Sequence, residues 1–111
     1  MKGKVLCVDS NEMKERIIRA VKTACNGKCY LVAIKESEKS NSLYFTISNG
    51  RISTFFRISD HPTRQKIKNF NVSKSTKMDA IIRYVTNVIN RMNRYSLNQL
   101  LSSLSSNLSV A

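Results

Sequence analysis

Acidic side chains are scarce in this sequence: seven Asp and Glu stand against nineteen Lys and Arg. The resulting charge of +12 rules against a partner that is itself cationic and favours a polyanion, either nucleic acid or an acidic protein groove. Histidine occurs once, at His61. Cysteine occurs three times, at Cys7, Cys25 and Cys29, an odd number with no export signal, which points to a reducing compartment. Cys25 and Cys29 have no second Cys/His pair near them, so a four-ligand zinc site is not expected. The three thiols read instead as small buried hydrophobes. No apolar run reaches membrane-spanning length, and the apolar stretch within Met1–Ser10 is too short for a secretory signal. With one proline and three glycines the chain shows no low-complexity linker, repeat or domain boundary. One domain spanning 1–111 is therefore expected, its last residues frayed.

The charge is unevenly placed. From Ser40 onward the basic residues are Arg51, Arg57, Arg64, Lys66, Lys68, Lys74, Lys77, Arg83, Arg91 and Arg94, against only Asp60 and Asp79.

Apolar periodicity gives the elements. Lys4–Val8 is a short apolar run compatible with an edge strand. Asp9, with Glu12 three residues on, has the form of a capping box. Met13, Ile17, Ala20 or Val21, and Ala24 follow at helical spacing, with Lys14, Arg16, Arg19 and Lys22 off that stripe. Asn26-Gly27 supplies the stop. Cys29–Lys35 reads as a strand and Glu36–Asn41 as a polar turn. Leu43–Ser48 and Arg51–Ser59 form a hairpin about Asn49-Gly50, the preferred pair for a two-residue type I′ turn. Pro62 ends the ladder, Arg64–Asn69 is a basic connector, and Phe70-Asn71-Val72 adds a short strand. Thr76, with Asp79 behind it, caps a second helix whose stripe is Met78, Ile82, Val85, Ile89 and Met92, widened by Ile81 and Val88. Leu97, Leu100, Leu101, Leu104 and Leu108 suggest a third, Ser-rich helix, or else a face for a partner or a second copy. The fold class is α+β: an N-terminal helix, a three- to four-stranded antiparallel meander, and one or two C-terminal helices, all packed on one face of the sheet.

A two-residue turn at Asn49-Gly50 places Ser48 opposite Arg51, Thr46 opposite Ser53, Tyr44 opposite Phe55 and Ser42 opposite Arg57, all on one face. Leu43, Phe45, Ile47, Ile52, Thr54, Phe56 and Ile58 take the other face and form a core. The first face therefore sets an aromatic pair, Tyr44 and Phe55, between Arg51 and Arg57. That arrangement suits single-stranded nucleic acid, with rings stacking on bases and guanidiniums holding phosphates. It also suits a plain sheet, because cross-strand aromatic pairs stabilise strands without any ligand.

Arg57-Ile58-Ser59-Asp60-His61 closes the strand. Ser59, Asp60 and His61 are adjacent, but neighbouring strand residues point to opposite faces, whereas a catalytic triad needs convergent side chains. One histidine and one aspartate are too few ligands for a metal. No catalytic residue, metal or cofactor is expected. Ser59 and Asp60 suit the shaping of the strand end, where their oxygens can accept backbone N–H bonds. Arg57 and His61 suit recognition, extending the face of Tyr44, Arg51 and Phe55 toward Arg64, Lys66 and Lys68.

The run Tyr30-Leu31, Ser42-x-Tyr44, Arg57-Ile58-Ser59-Asp60-His61, the Phe70-Asn71-Val72 strand and the helix from Thr76 resembles a motif of small phage and mobile-element proteins. That group includes a broad-spectrum phage anti-CRISPR inhibitor of Cas9. The likeness runs from about Cys29 to Met92, with Arg57, Ser59 and His61 in agreement and Ile58 and Asp60 departing. The long basic arm of that inhibitor has no counterpart here, where the helix begun at Asp9 stands instead. The resemblance implies a non-enzymatic protein of the infected bacterial cytoplasm that binds a CRISPR effector or its guide RNA and blocks DNA recognition or cleavage. A small basic phage protein that binds DNA or RNA directly is the alternative.

Overall fold

The computed structural model describes residues 11–37, 42–60, 68–73 and 75–110. Helix α1 (Asn11–Cys25) is followed by strands β1 (Tyr30–Ser37), β2 (Ser42–Ser48), β3 (Ser53–Ser59) and β4 (Lys68–Asn71), and by helix α2 (Met78–Val110). The sheet order is β1-β2-β3-β4. The class is α+β, as the periodicities require. The Lys4–Val8 run, Asp9 and Cys7 lie outside the described residues.

Helix α1 buries the stripe expected of it: Met13, Ile17, Ala20, Val21 and Ala24 are all buried, while Arg19 and Lys22 face solvent. Gly27 follows at φ +74°, the left-handed turn that ends the helix without a Cβ penalty. Cys25 is buried and Cys29 half-buried. Burial, with the Cys29 thiol beside it, pushes the Cys25 thiol up to about 12, so Cys25 stays a protonated, unreactive thiol at neutral pH.

The core is closed by Leu43, Phe45 and Ile47 from β2, Phe56 and Ile58 from β3, and Ile81, Val85, Val88, Ile89 and Met92 from α2. Phe45 and Phe56 stack at 5.3 Å between ring centroids, and Phe56 meets Tyr84 edge-on at 5.9 Å. Tyr84 also stacks on Phe70 at 4.9 Å, which seats α2 over β3 and β4. Because side chains alternate along strands, Tyr44, Thr46, Phe55 and Arg57 must project from the opposite face.

Four sequence expectations need correction. First, the meander is antiparallel only from β1 to β3; β4 pairs parallel to β3. β4 therefore begins opposite Phe56, at the middle of β3, and runs alongside it to Ser59, a placement no local pattern encodes. Second, the leucine segment is not a separate helix. No glycine or proline interrupts Asn90–Leu97, and α2 runs unbroken for 33 residues, about 50 Å. Third, the Thr76 hydroxyl does not cap α2. It turns backward and accepts the Ser73 amide at 2.8 Å, and Lys77 instead offers its carbonyl to Ile81.

The fourth correction is the hairpin register. Ser48 pairs with Ser53, Thr46 with Phe55, Tyr44 with Arg57 and Ser42 with Ser59. The turn is centred on Gly50-Arg51, with Gly50 at φ +91° in the first central position, where type II′ turns need glycine. The cause is the Asn49 side chain. Its Oδ1 accepts the amides of Arg51 (2.9 Å) and Ile52 (3.0 Å), and its Nδ2 donates to Asn93 Oδ1 on α2 at 2.9 Å. Asn49 is thus held at the flank of the turn and ties it to the helix. Asn49→Ala is expected to lower stability by about 1–3 kcal/mol, because it leaves Asn93 and two turn amides without their partner. Urea denaturation measures this, and an unchanged midpoint would remove Asn49 as the determinant of register.

Candidate nucleic-acid interface

The two-residue slip preserves parity, so the faces stand as expected while the pairs on them change. Tyr44 and Phe55 share the face turned away from α2, but they sit diagonally rather than opposite one another. Phe55 is exposed and Tyr44 half-buried. With Ala33, Lys35, Glu36, Ser37 and Thr46 they line a shallow hollow of about 460 Å³. Among the described residues no helix covers it.

Arg57 is not an exposed hand for phosphate. It is only 4% exposed, with Nε donating to Ser42 Oγ at 3.0 Å and Nη1 donating to Asn69 Oδ1 at 2.7 Å. Asn69 in turn donates to Asn71. The guanidinium stitches β2, β3 and β4 together, its stem desolvated and its N–H groups engaged. Ser59 is fully buried on the same face, and its backbone carbonyl accepts the Val72 amide at 2.9 Å. Asp60 is half-buried at the end of β3. Arg51 leaves the strand face altogether and sits exposed in the turn. His61, Arg64 and Lys66 lie outside the described residues.

Lys68 is also on an unexpected side. As the first residue of β4 it pairs with Phe56, which turns its side chain toward α2, where Nζ lies 3.4 Å from Thr54 Oγ1. Here the structure assembles a group that strand parity alone does not show. Lys68, Ser53, Thr54, Arg91 and Tyr95 meet around a cleft of about 380 Å³ floored by Val88 and Met92. Arg91 and Tyr95 are four residues apart on α2 and therefore share a face. Tyr95 is 59% exposed, and its hydroxyl accepts Gln99 Nε2 at 2.9 Å, which steadies the ring. Burial raises the Tyr84 phenol above its ordinary value, and the nearby Arg91 charge opposes that rise. Among the described residues no carboxylate lines this cleft. The pairing of β4 begins only at Phe56, so along the described residues Ser53–Phe55 form the open part of the β3 edge. The cleft lies on one side of that edge and the Phe55 ring on the other. The sequence carried a usable signal for Arg91 and Tyr95, namely their i, i+4 spacing off the apolar stripe, but not for their meeting with Lys68.

Among the described residues the other exposed cations are spread over the molecule: Arg19, Lys22 and Lys28 at α1 and its end, Lys35 on β1, Arg51 in the turn, Lys77 just before α2, and Arg83 and Arg94 on α2. Lys14 is engaged with Glu36, clipping α1 to β1. Among the described residues the charge surplus is thus distributed: Lys68 and Arg91 meet at the cleft, and Lys22 and Lys28 line a second hollow of about 570 Å³ with the exposed Tyr30. Among the described residues no group of three His, Cys, Asp or Glu is placed to hold a metal, and no helix is long and apolar enough to cross a membrane. No protein-family model, curated protein or solved structure matches this chain.

Proposed function

We propose that this protein works by binding, not catalysis, and grips a nucleic-acid backbone at the open part of β3. In the reading developed from the sequence resemblance, the target is the guide RNA or heteroduplex of a Cas9-like CRISPR effector in the cytoplasm of a phage-infected bacterium. Occupying it blocks DNA recognition or cleavage. The observation that supports this best is the cleft, free of carboxylates among the described residues, in which Lys68 and Arg91 stand beside the exposed Tyr95 ring. Two cations gathered around the hydroxyls of Ser53 and Thr54 suit phosphates, and the exposed ring suits a base stacked beside them. Such effectors hold their heteroduplex by backbone and shape, so a cationic competitor needs no sequence readout. Phe55, with the hollow beyond it, extends the surface around the strand edge.

The second reading is a phage regulator that binds DNA or RNA directly, and it is favoured by the same cleft. The two separate by fluorescence anisotropy with guide RNA alone, duplex DNA alone and the assembled effector–guide complex. An inhibitor binds the complex far more tightly than either free nucleic acid and stops target cleavage. A regulator binds free nucleic acid, with affinity falling as about the 0.7 to 0.9 power of salt per phosphate contacted. Absence of binding to all three probes would sink both readings.

A further inference from the structure

We infer that a second copy of this chain covers the end of α2, the two helices lying antiparallel. The buried face of α2 ends at Met92 and Ser96. Beyond it the helix leaves the body of the protein, and Leu97, Leu101 and Leu104 stand 53%, 52% and 49% exposed. Their spacing of four and then three residues is that of a coiled-coil seam, and Leu108 continues it in the sequence. Such a stretch is poorly equipped to stay helical alone. It is rich in Ser and Asn, which are weak helix formers, and it has no i, i+4 ion pairs. Helices of this kind are held by packing of their apolar face.

Charge identifies the occupant. From Tyr95 to Ala111 there is no Lys, Arg, His, Asp or Glu, so the whole +12 resides in residues 1–94. Nucleic acid finds no cation on this segment to hold it. An anionic membrane finds none of the Lys and Arg that dress the polar face of interfacial helices. A charged partner helix finds nothing to pair with at the positions flanking the seam. A second neutral seam of the same shape fits without electrostatic cost. Parallel pairing would set two +12 bodies side by side. Antiparallel pairing sends them to opposite ends of an overlap about 24 Å long, well beyond the ~8 Å over which charge is felt at physiological salt. The contact is one short helix segment on each side, so the dimer is a reversible one of the kind formed by interfaces below ~1,200 Å². It leaves Lys68 and Arg91 open and does not depend on the nucleic-acid reading.

Sedimentation velocity of the full chain over a concentration series tests this. A monomer–dimer equilibrium is expected, and Leu101→Asn/Leu104→Asn should weaken it at least about thirtyfold with unchanged sheet signals in circular dichroism. Small-angle scattering reads the orientation. One chain is 66 Å long, and the antiparallel dimer should reach about 100–110 Å. A chain that stays monomeric at every concentration overturns the inference, as does a double variant that dimerises normally. A dimer little longer than one chain overturns the antiparallel arrangement. Cosedimentation of a monomeric chain with neutral phosphatidylcholine vesicles would assign the seam to lipid instead.

Discussion

Phe56→Ala is expected to cost about 3–5 kcal/mol, while Phe55→Ala, one residue away, costs less than about 1 kcal/mol. Phe56 is fully buried, stacked on Phe45 across the β2–β3 pair and meeting Tyr84 of α2 edge-on. Truncation removes a ring that touches both strand and helix partners, and the neighbours it leaves, Phe45 and Ile58, sit on rigid strands that cannot collapse into the gap. A domain of this size has about 5–15 kcal/mol in all, so the variant is expected to be partly unfolded at growth temperature. Phe55 projects from the other face and is 53% exposed, so its removal forfeits only pairing with Thr46 and the diagonal contact toward Tyr44. Equilibrium urea unfolding of the two variants reads the difference. Equal midpoints would mean that the two faces of β3 have been assigned wrongly.

That contrast also shows what a sequence can state. The faces of β2 and β3 were legible because alternation has period two and a slip of two residues leaves every side chain on its own side. The α1 stripe was legible because five apolar residues at helical spacing have one way to be buried. The register was not legible. Asn49 is chemically suited to the centre of a turn, but its bonds to the Arg51 and Ile52 amides and to Asn93, 44 residues later, hold it at the flank.

Arg57 is buried, against expectation, for a related reason. On a strand with exposed neighbours an arginine reads as a binding residue. Its burial follows from Asn69 arriving beside it on a parallel strand, which the local pattern of Lys68–Asn71 does not reveal. The same parallel entry turns Lys68 toward α2 and creates the cleft. The site was therefore half legible: its cationic character and the aromatics of β2 and β3 were visible, while the partnership of Lys68, Arg91 and Tyr95 depends on two long-range choices of topology.

Reversing both cations, Lys68→Glu with Arg91→Glu, is expected to weaken binding to single-stranded RNA by about a hundredfold or more near 0.1 M salt. Each phosphate contact in a single strand contributes about 0.7 to the slope of log K against log salt, or roughly fivefold at 0.1 M. Losing two such contacts costs about 25-fold, and placing carboxylates against the phosphates adds repulsion. The slope itself should fall by about 1.4. Both side chains are exposed and neither is part of the core, so thermal unfolding should change little. The decisive comparison is Arg19→Glu with Lys28→Glu, which makes the same change in net charge at exposed positions on and just beyond α1, away from the cleft lining. If binding arises from bulk charge, the two double variants lose affinity equally and the cleft has no special part. If the cleft is the site, the α1 pair loses only a fewfold. Tyr95→Ala then separates stacking from charge. It should lower affinity by about 1–3 kcal/mol with the salt slope unchanged, because a ring contributes contact with a base and releases no counterion.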